Sequence, residues 1–439
     1  MMGKRAFVLL VGVLLMATAA AAYAGGQEEE PIQETETAAA PEELRVLGVW
    51  TGDTQSKFEA VLADFTERTG IPASYEPAGQ NIGTVLGTQI EGGNPPDIAM
   101  LPQPGLLVEF ARRGELVGVE DAVGDLVDAN YAPVWRELAT VDGELYGVWY
   151  KAANKSFFWY NADVFDQAGA EPAETWEELM ETAGIVADYG LPPFSIGGAS
   201  AWTLTDWFEN IYLNSAGPEL YDQLTNHEIP WTHPSVREAM NRFVGIIERR
   251  DWIAGGVAGT LEATHPDGII KPFMDPPEAG MAYGADFSVG AIMNQTDAVV
   301  GETARFFSFP TIEGSAPSVV GGGDVAVAFT DTAETGELLR YLASPEAAEV
   351  WAPLGGYTSP NQKVDPSVYP NDVSRGSAQM LQTAGAFRFD MSDLQPSAFG
   401  STAGRGLFGL FQELVRNPGE LDSILEQLEA EAAEAHGAN

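Results

Sequence analysis

The chain has 439 residues, enough for two or more domains, and at 45% hydrophobic it can fill a large core. Its 64 acidic against 22 basic residues give a net charge of −42, which repels nucleic acid and anionic membrane surfaces and disfavours acidic solutes unless a local basic pocket overrides it. No cysteine occurs, which excludes a disulfide framework and a lipidated cysteine.

At the N-terminus Lys4-Arg5 precede an apolar run, Ala6 to Ala22, closed by Ala22-Tyr23-Ala24. A charged segment, a short apolar segment and an A-x-A site predict a cleavable signal peptide over 1–24, a retained anchor being the alternative. The acidic stretch 25–43, without aromatics, reads as a disordered linker. "LRVLGVW" (44–50) predicts a strand. In "SKFEAVLADFTERTG", Ser56 and Glu59 fit a capping box, Phe58, Val61, Leu62 and Phe65 share one helical face, and Gly70 stops the helix. "IPASYEP" and Asp97–Met100 predict further strands with a helix between them. Strand alternating with helix is the pattern of a parallel α/β sheet. Asp142-Gly143 predicts a turn between short strands. Helices follow at "TWEELMETAGIVADYG", with a capping box from Thr175 to Glu178, at "TLTDWFENIYLN", and at "HPSVREAMNRFVGIIERRDWI", where Pro234 suits the first turn. "AGMAYGADFSVGAI" reads as a strand entering a helix, "VVGGGDVAVAF" as a glycine-rich turn into a strand, and "ELDSILEQLEAEAAEA" as a closing helix.

Motifs for chemistry are sparse. The four histidines show no ligand spacing, so no metal is expected. Neither a G-x-S-x-G elbow nor a Walker loop occurs; "GGGD" (321–324) lacks the following Lys-Ser/Thr. The carboxylates are too numerous to nominate an acid–base pair. Trp50, Trp202, Trp207, Tyr283, Phe287 and Tyr357 lie at element ends or beside glycine. Such aromatics beside Asp and Gln suit sugars, whose C–H faces stack on rings while hydroxyls bond to carboxylates and amides. Ordinary core or surface aromatics remain the alternative.

One segment, "LLRYLASPEAAEVWAPLGGYTSPN" (338–361), ends a helical piece on a glycine pair and an aromatic, where one glycine would cap it. This segment is the most telling of nine that occur in a family's order. The others are "VWTGDTQSKFEAVLADFTERTGI", "GNPPDIAMLPQPGLLVEFARRGELV", "LYGVWYKAANKSFFWYNADVFDQAG", "TWEELMETA", "GMAYGADFSVGAI", "FPTIEG", "VGGGDVAVAF" and "ELDSILEQLEAEA". From Leu44 to about Ala435 the chain resembles the extracellular solute-binding proteins of carbohydrate ABC importers, the type that includes the maltose-binding proteins.

The resemblance implies an α/β fold of the periplasmic-binding-protein kind, with two lobes, hinge strands and an interlobe ligand cleft. It implies an N-terminal lobe of 44–150 plus 313–352 and a C-terminal lobe of 151–312 plus 353–439. It implies a cleft lined by Trp50, Thr51, Gln80, Asp97, Lys151, Trp202, Trp207, Tyr283, Asp286, Phe287, Asp324, Gly356 and Tyr357, with Arg405 as a further candidate. Many relatives carry Trp where this chain has Phe287, and a lipidated cysteine where it has Gly25-Gly26. The implied function is non-enzymatic capture of a neutral sugar, an oligosaccharide or glycoside, for delivery to ABC permease subunits served by a separate ATPase. The implied protein is a periplasmic or extracellular monomer without cofactor, nucleic acid or stable membrane insertion. The alternatives are a secreted carbohydrate-active enzyme, a polyol or polyamine binder, and a binding protein serving a chemoreceptor.

Overall fold

The computed structural model describes residues 42–383 and 386–437. The expected signal peptide and all but the last two residues of the expected linker lie outside the described residues. Among the described residues the strands are β1 Leu44–Gly48, β2 Ala73–Pro77, β3 Ile98–Leu101, β4 Thr140–Val141, β5 Glu144–Leu145, β6 Gly147–Asn154, β7 Phe157–Asn161, β8 Phe194–Ser195, β9 Met281–Gly284, β10 Ala304–Ser308, β11 Ser318–Ala328 and β12 Ala386–Phe389.

The first lobe starts as the sequence predicts. β1 runs parallel to β2 and β3, placing Val46 opposite Tyr75 and Ile98. Parallel pairing needs a crossover, here the helix Gly52–Thr69 between β1 and β2. That helix buries Phe58, Val61, Leu62 and Phe65, and Gly70 closes it at φ 76°. The expected Ser56–Glu59 cap does not form. The helix begins five residues earlier, behind Thr51, so Ser56 lies inside it, its hydroxyl donating to the Gly52 carbonyl. The Thr175–Glu178 box does form, with both reciprocal bonds. Asp142 and Gly143, both at positive φ, turn β4 into β5.

β11 organises the first sheet. It pairs antiparallel with β6 and β3 and parallel with β12. Gly321-Gly322-Gly323, expected as a turn, stands within this strand. These glycines serve close approach instead: a Cβ on Gly323 would lie 2.5 Å from the Lys151 carbonyl oxygen, and one on Gly322 would lie 2.8 Å from Lys155 Cε. The β6–β11 register slips between Asp324 and Val325, skipping Tyr150. Irregularities of this kind re-aim neighbouring side chains, and here they adjoin the Asp324–Lys151 pair.

The second sheet has the order β10-β7-β9-β8. Its central β7, Phe157–Asn161, is buried throughout, as its continuous apolar sequence requires. Each sheet has its own core: Val46, Phe58, Leu107 and Val327 belong to one, Phe158, Trp207, Phe243 and Phe411 to the other.

Three stretches join the lobes. Lys155-Ser156 links β6 to β7, and 309–317 links β10 to β11. After the helix Pro345–Trp351 the chain runs through Gly355 and Thr358, where the Ala152 N–H donates to the Thr358 carbonyl at 2.8 Å, and Tyr357, Val364 and Tyr369 keep it on the first core. β12 then joins the first sheet, and Asp390 makes the third link, carrying the chain from Phe389 in the first core to Met391, Phe399 and Leu407 in the second.

Candidate functional site

Trp50 lies two residues beyond the end of β1. Its ring meets Phe58 edge-on at 4.8 Å and Trp351 at 5.0 Å. Its backbone is clamped by Tyr75, whose hydroxyl accepts from Trp50 N–H at 2.8 Å and donates to the Trp50 carbonyl at 3.0 Å. The Trp50 side chain is one of the groups that act on the Asp324 carboxyl. Asp324 faces Lys151 across the β11–β6 ladder and pairs with it at 3.7 Å. Burial raises the Asp324 carboxyl above its ordinary range, while Lys151, Lys155 and Trp50 oppose that rise.

The second lobe supplies the facing wall. Beyond β9 the chain turns at Asp286-Phe287 into the helix Ser288–Gln295. The Lys151 ammonium lies 4.7 Å from the Phe287 ring centroid. His265 stands between Phe287, at 5.3 Å, and Trp202, at 4.8 Å, giving a continuous aromatic surface. Burial, then the charges of Lys155 and Lys151, push the His265 imidazole down to about 3, so it is neutral at neutral pH. Asp286 is fixed from behind by the hydroxyls of Thr358, at 2.8 Å, and Ser377, at 2.7 Å.

Lys155 was not a sequence candidate. Its ammonium lies 5.2 Å from the Trp202 ring centroid and pairs with Asp390, Asp206 and Asp393. Burial disfavours its charge, but the three carboxylates outweigh that and hold the proton. Burial raises the carboxyls of Asp206, Glu209 and Asp393. Burial also works against Asp390, yet Lys155 and hydrogen bonds from Asp206, Lys155 and Ser392 hold it below the usual range. Asp206, Glu209 and Asp390 converge within 4.8 Å, a spacing that could hold a metal ion. Lys155 already supplies a cation to Asp206 and Asp390, and Glu209 accepts from the Met391 and Ser392 amides at 2.6 and 3.1 Å, although Asp206 Oδ1, 3.5 Å from the ammonium, has no hydrogen-bond donor. We therefore read the group as an ion-pair network. Its one sequence signal is "TDWFENIYLN", which sets two carboxylates among apolar residues on a helix buried on nearly every side.

The structure thus brings together Trp50, Lys151, Trp202, Asp286, Phe287 and Asp324. Gly356 adjoins them at φ 74°, where a Cβ would lie 3.6 Å from the Phe287 carbonyl oxygen. Other candidates stand elsewhere. Tyr357 backs the wall, its hydroxyl donating to the Tyr150 carbonyl at 2.8 Å and its ring stacked on Trp351. Tyr283 is a core residue whose hydroxyl bonds to the Lys155 carbonyl and Asn210. Trp207 is fully buried among Phe158, Phe194 and Phe243, because its side of the helix faces the second core. Asp97 precedes β3, at the end of the sheet opposite Trp50, where it accepts from the Arg45 N–H and the Thr330 hydroxyl. Thr51 is exposed at the helix start, and Arg405 is exposed before the helix Gly406–Arg416, its side chain unpartnered among the described residues. The Gln80 side chain lies outside the described residues, although its backbone falls in the turn Gly79–Asn81.

Two α/β lobes, three connecting stretches and an aromatic, charge-paired site between them define a two-lobed binding protein. Residues 51–349 match the family model of bacterial extracellular solute-binding proteins, and the chain belongs to that family, whose members serve ABC importers. It is 38% identical over 366 residues to the osmoprotective compounds-binding protein GgtB of Synechocystis sp., covering 82% of this chain and 86% of that one. It is 32% identical over 374 residues to the alpha-glucosides-binding periplasmic protein AglE of Rhizobium meliloti, covering 82% and 81%. The fold matches the solute receptor AcbH with a TM-score of 0.78 at 19% identity, covering 89% of this chain and 98% of that one. A chitin oligosaccharide binding protein matches at 0.76 and 18%, covering 91% and 100%. These relatives are binding proteins. Among the described residues no helix is long and apolar enough to cross a membrane.

Proposed function

We propose that this protein captures a neutral glycoside outside the cytoplasmic membrane and delivers it to the membrane subunits of an ABC importer. The observation that carries this reading is charge pairing at the site. Lys151 is matched by Asp324, and Lys155 by Asp390, beside the ring faces of Phe287, His265 and Trp202. A cationic solute would meet two ammonium groups there despite the chain's net charge of −42, and an anionic one would meet buried carboxylates. A neutral polyol or sugar can exchange hydrogen bonds with both kinds of group while its C–H face lies on a ring. The names of GgtB and AglE support this class: osmoprotective compounds and alpha-glucosides.

In this reading Trp50, Lys151 and Asp324 hold the solute from the first lobe, and Asp286, Phe287, His265 and Trp202 hold it from the second. Closure about the three connecting stretches then presents the liganded form to the permease. No chemical step is assigned to these groups, which bind and orient.

The test is a thermal-shift screen of residues 25–439 against small α-glucosides, polyols, oligosaccharides, polyamines and organic acids. A bound solute at about 100 times its Kd adds roughly 2.7 kcal/mol of stability. The reading predicts a shift with a neutral glycoside; a shift with a polyamine or an acid alone contradicts it.

A further inference from the structure

We infer that Asp53, Lys57, Asn294 and the Gly355 carbonyl form a clasp that holds the lobes together without solute. The inference rests on the two-lobed binding reading but not on which solute is carried.

Asp53 lies in the first turn of the helix Gly52–Thr69, which packs on the first core. Asn294 lies on the helix Ser288–Gln295, which packs through Val289 and Ile292 beside the second sheet. The Asn294 amide donates to the Asp53 carboxylate at 2.9 Å. Lys57, one turn along the first helix, pairs with the same carboxylate at 2.7 Å and donates to the Gly355 carbonyl at 3.3 Å. A Cβ on Gly290, on the second helix, would lie 3.8 Å from Lys57 Nζ, so the lysine tip sits close to that helix backbone. Three chain segments therefore meet on one carboxylate and one ammonium: a helix of each lobe and the glycine turn that follows Trp351. Gly355 and Gly356, at φ 77° and 74°, turn the backbone there through a region that other residues rarely adopt. The glycine pair at the end of the helical segment has this as its structural use.

None of these contacts involves Trp50, Lys151, Phe287 or Asp324, so the clasp does not need solute. Its strength is limited. The Asn294–Asp53 hydrogen bond is the contact that crosses between the lobes, while the Lys57–Asp53 pair lies within one helix and orients the carboxylate, so the clasp biases an equilibrium without locking it. The carboxylate is also held by its place in the first helical turn, where negative charge is favoured.

The chain has no cysteine, so a Glu91→Cys and Asp166→Cys pair, both exposed and on elements of different lobes, takes two dyes cleanly. Single-molecule energy transfer on solute-free protein reads the lobe separation. The clasp predicts a population at short separation that Asn294→Ala and Asp53→Ala each shift toward long separation by about five-fold in the open-to-closed ratio. Lys57→Met shifts it the same way, and Glu59→Ala, exposed on the same helix, does not. Circular dichroism confirms that each variant is folded. A solute-free protein that is only open, or clasp variants indistinguishable from Glu59→Ala, overturns the inference. Because no solute enters the experiment, its outcome is separate from that of the solute screen.

Discussion

Lys151 and Phe287 touch across the site: the ammonium of a first-sheet strand stands 4.7 Å from the centre of a ring carried by the second lobe. This places the aromatic that would take a sugar face against a cation already paired to Asp324 at 3.7 Å. Phe287→Ala is expected to weaken glycoside binding about ten-fold, the scale of one lost aromatic contact. Phe287→Trp is expected to retain it, because stacking survives. Titration calorimetry on both variants checks this; equal losses in both would remove Phe287 from the contact surface.

Lys155 is a structural cation as much as a site residue. Lys155→Met leaves Asp390 and its neighbours buried without their counter-charge, an expected loss of about 3–5 kcal/mol in urea unfolding. Adding Asp390→Asn should recover part of that loss, since the stranded charge is then gone. A double variant no more stable than Lys155→Met shows that the pairing carries little of the effect.

Trp207 separates packing from recognition. It is fully buried in the second core, so Trp207→Ala should cost about 3–5 kcal/mol of stability. Folded variant at low temperature should bind solute as the wild type does. Large loss of affinity with little loss of stability would return Trp207 to the cleft.

His265 gives a pH dependence with a definite sign. Its imidazole is held down to about 3, first by burial and then by Lys155 and Lys151. Between its ordinary value of about 6.5 and that lowered value the unfolded chain takes a proton that the native site refuses, so its contribution falls as pH falls. The raised carboxyls of Asp206, Glu209 and Asp393 act oppositely, because the native state there binds more protons. The difference between wild type and His265→Gln isolates the histidine. From pH 7 to pH 5 the wild type should lose roughly 2 kcal/mol relative to the variant. Parallel stability curves would mean that His265 protonates freely in the native state.

Local signals in the sequence carried far. The stripe Phe58, Val61, Leu62, Phe65, the Thr175–Glu178 box and the Asp142-Gly143 turn each depend on residues within one helix or hairpin, and each is where the sequence puts it. Signals that depend on a distant partner failed. The glycine run 321–323 reads as a turn until Lys151 and Lys155 are seen against it. Trp202 and Trp207 stand five positions apart on one helix, yet the first borders the site and the second fills the core. Sequence alone does not give the rotation of a helix that is apolar nearly all round. The Lys155 network was invisible because Asp206 and Asp390 come to it from far along the chain.

The central claim is capture, without conversion, of a neutral glycoside. The most direct measurement is calorimetric titration of residues 25–439 with the small α-glucoside that gives the largest thermal shift, followed by chromatography of the recovered solute. The account predicts saturable one-to-one binding, weakened by Phe287→Ala, with the glycoside returned intact. A glycoside that is consumed, or saturable binding confined to a charged solute, contradicts it.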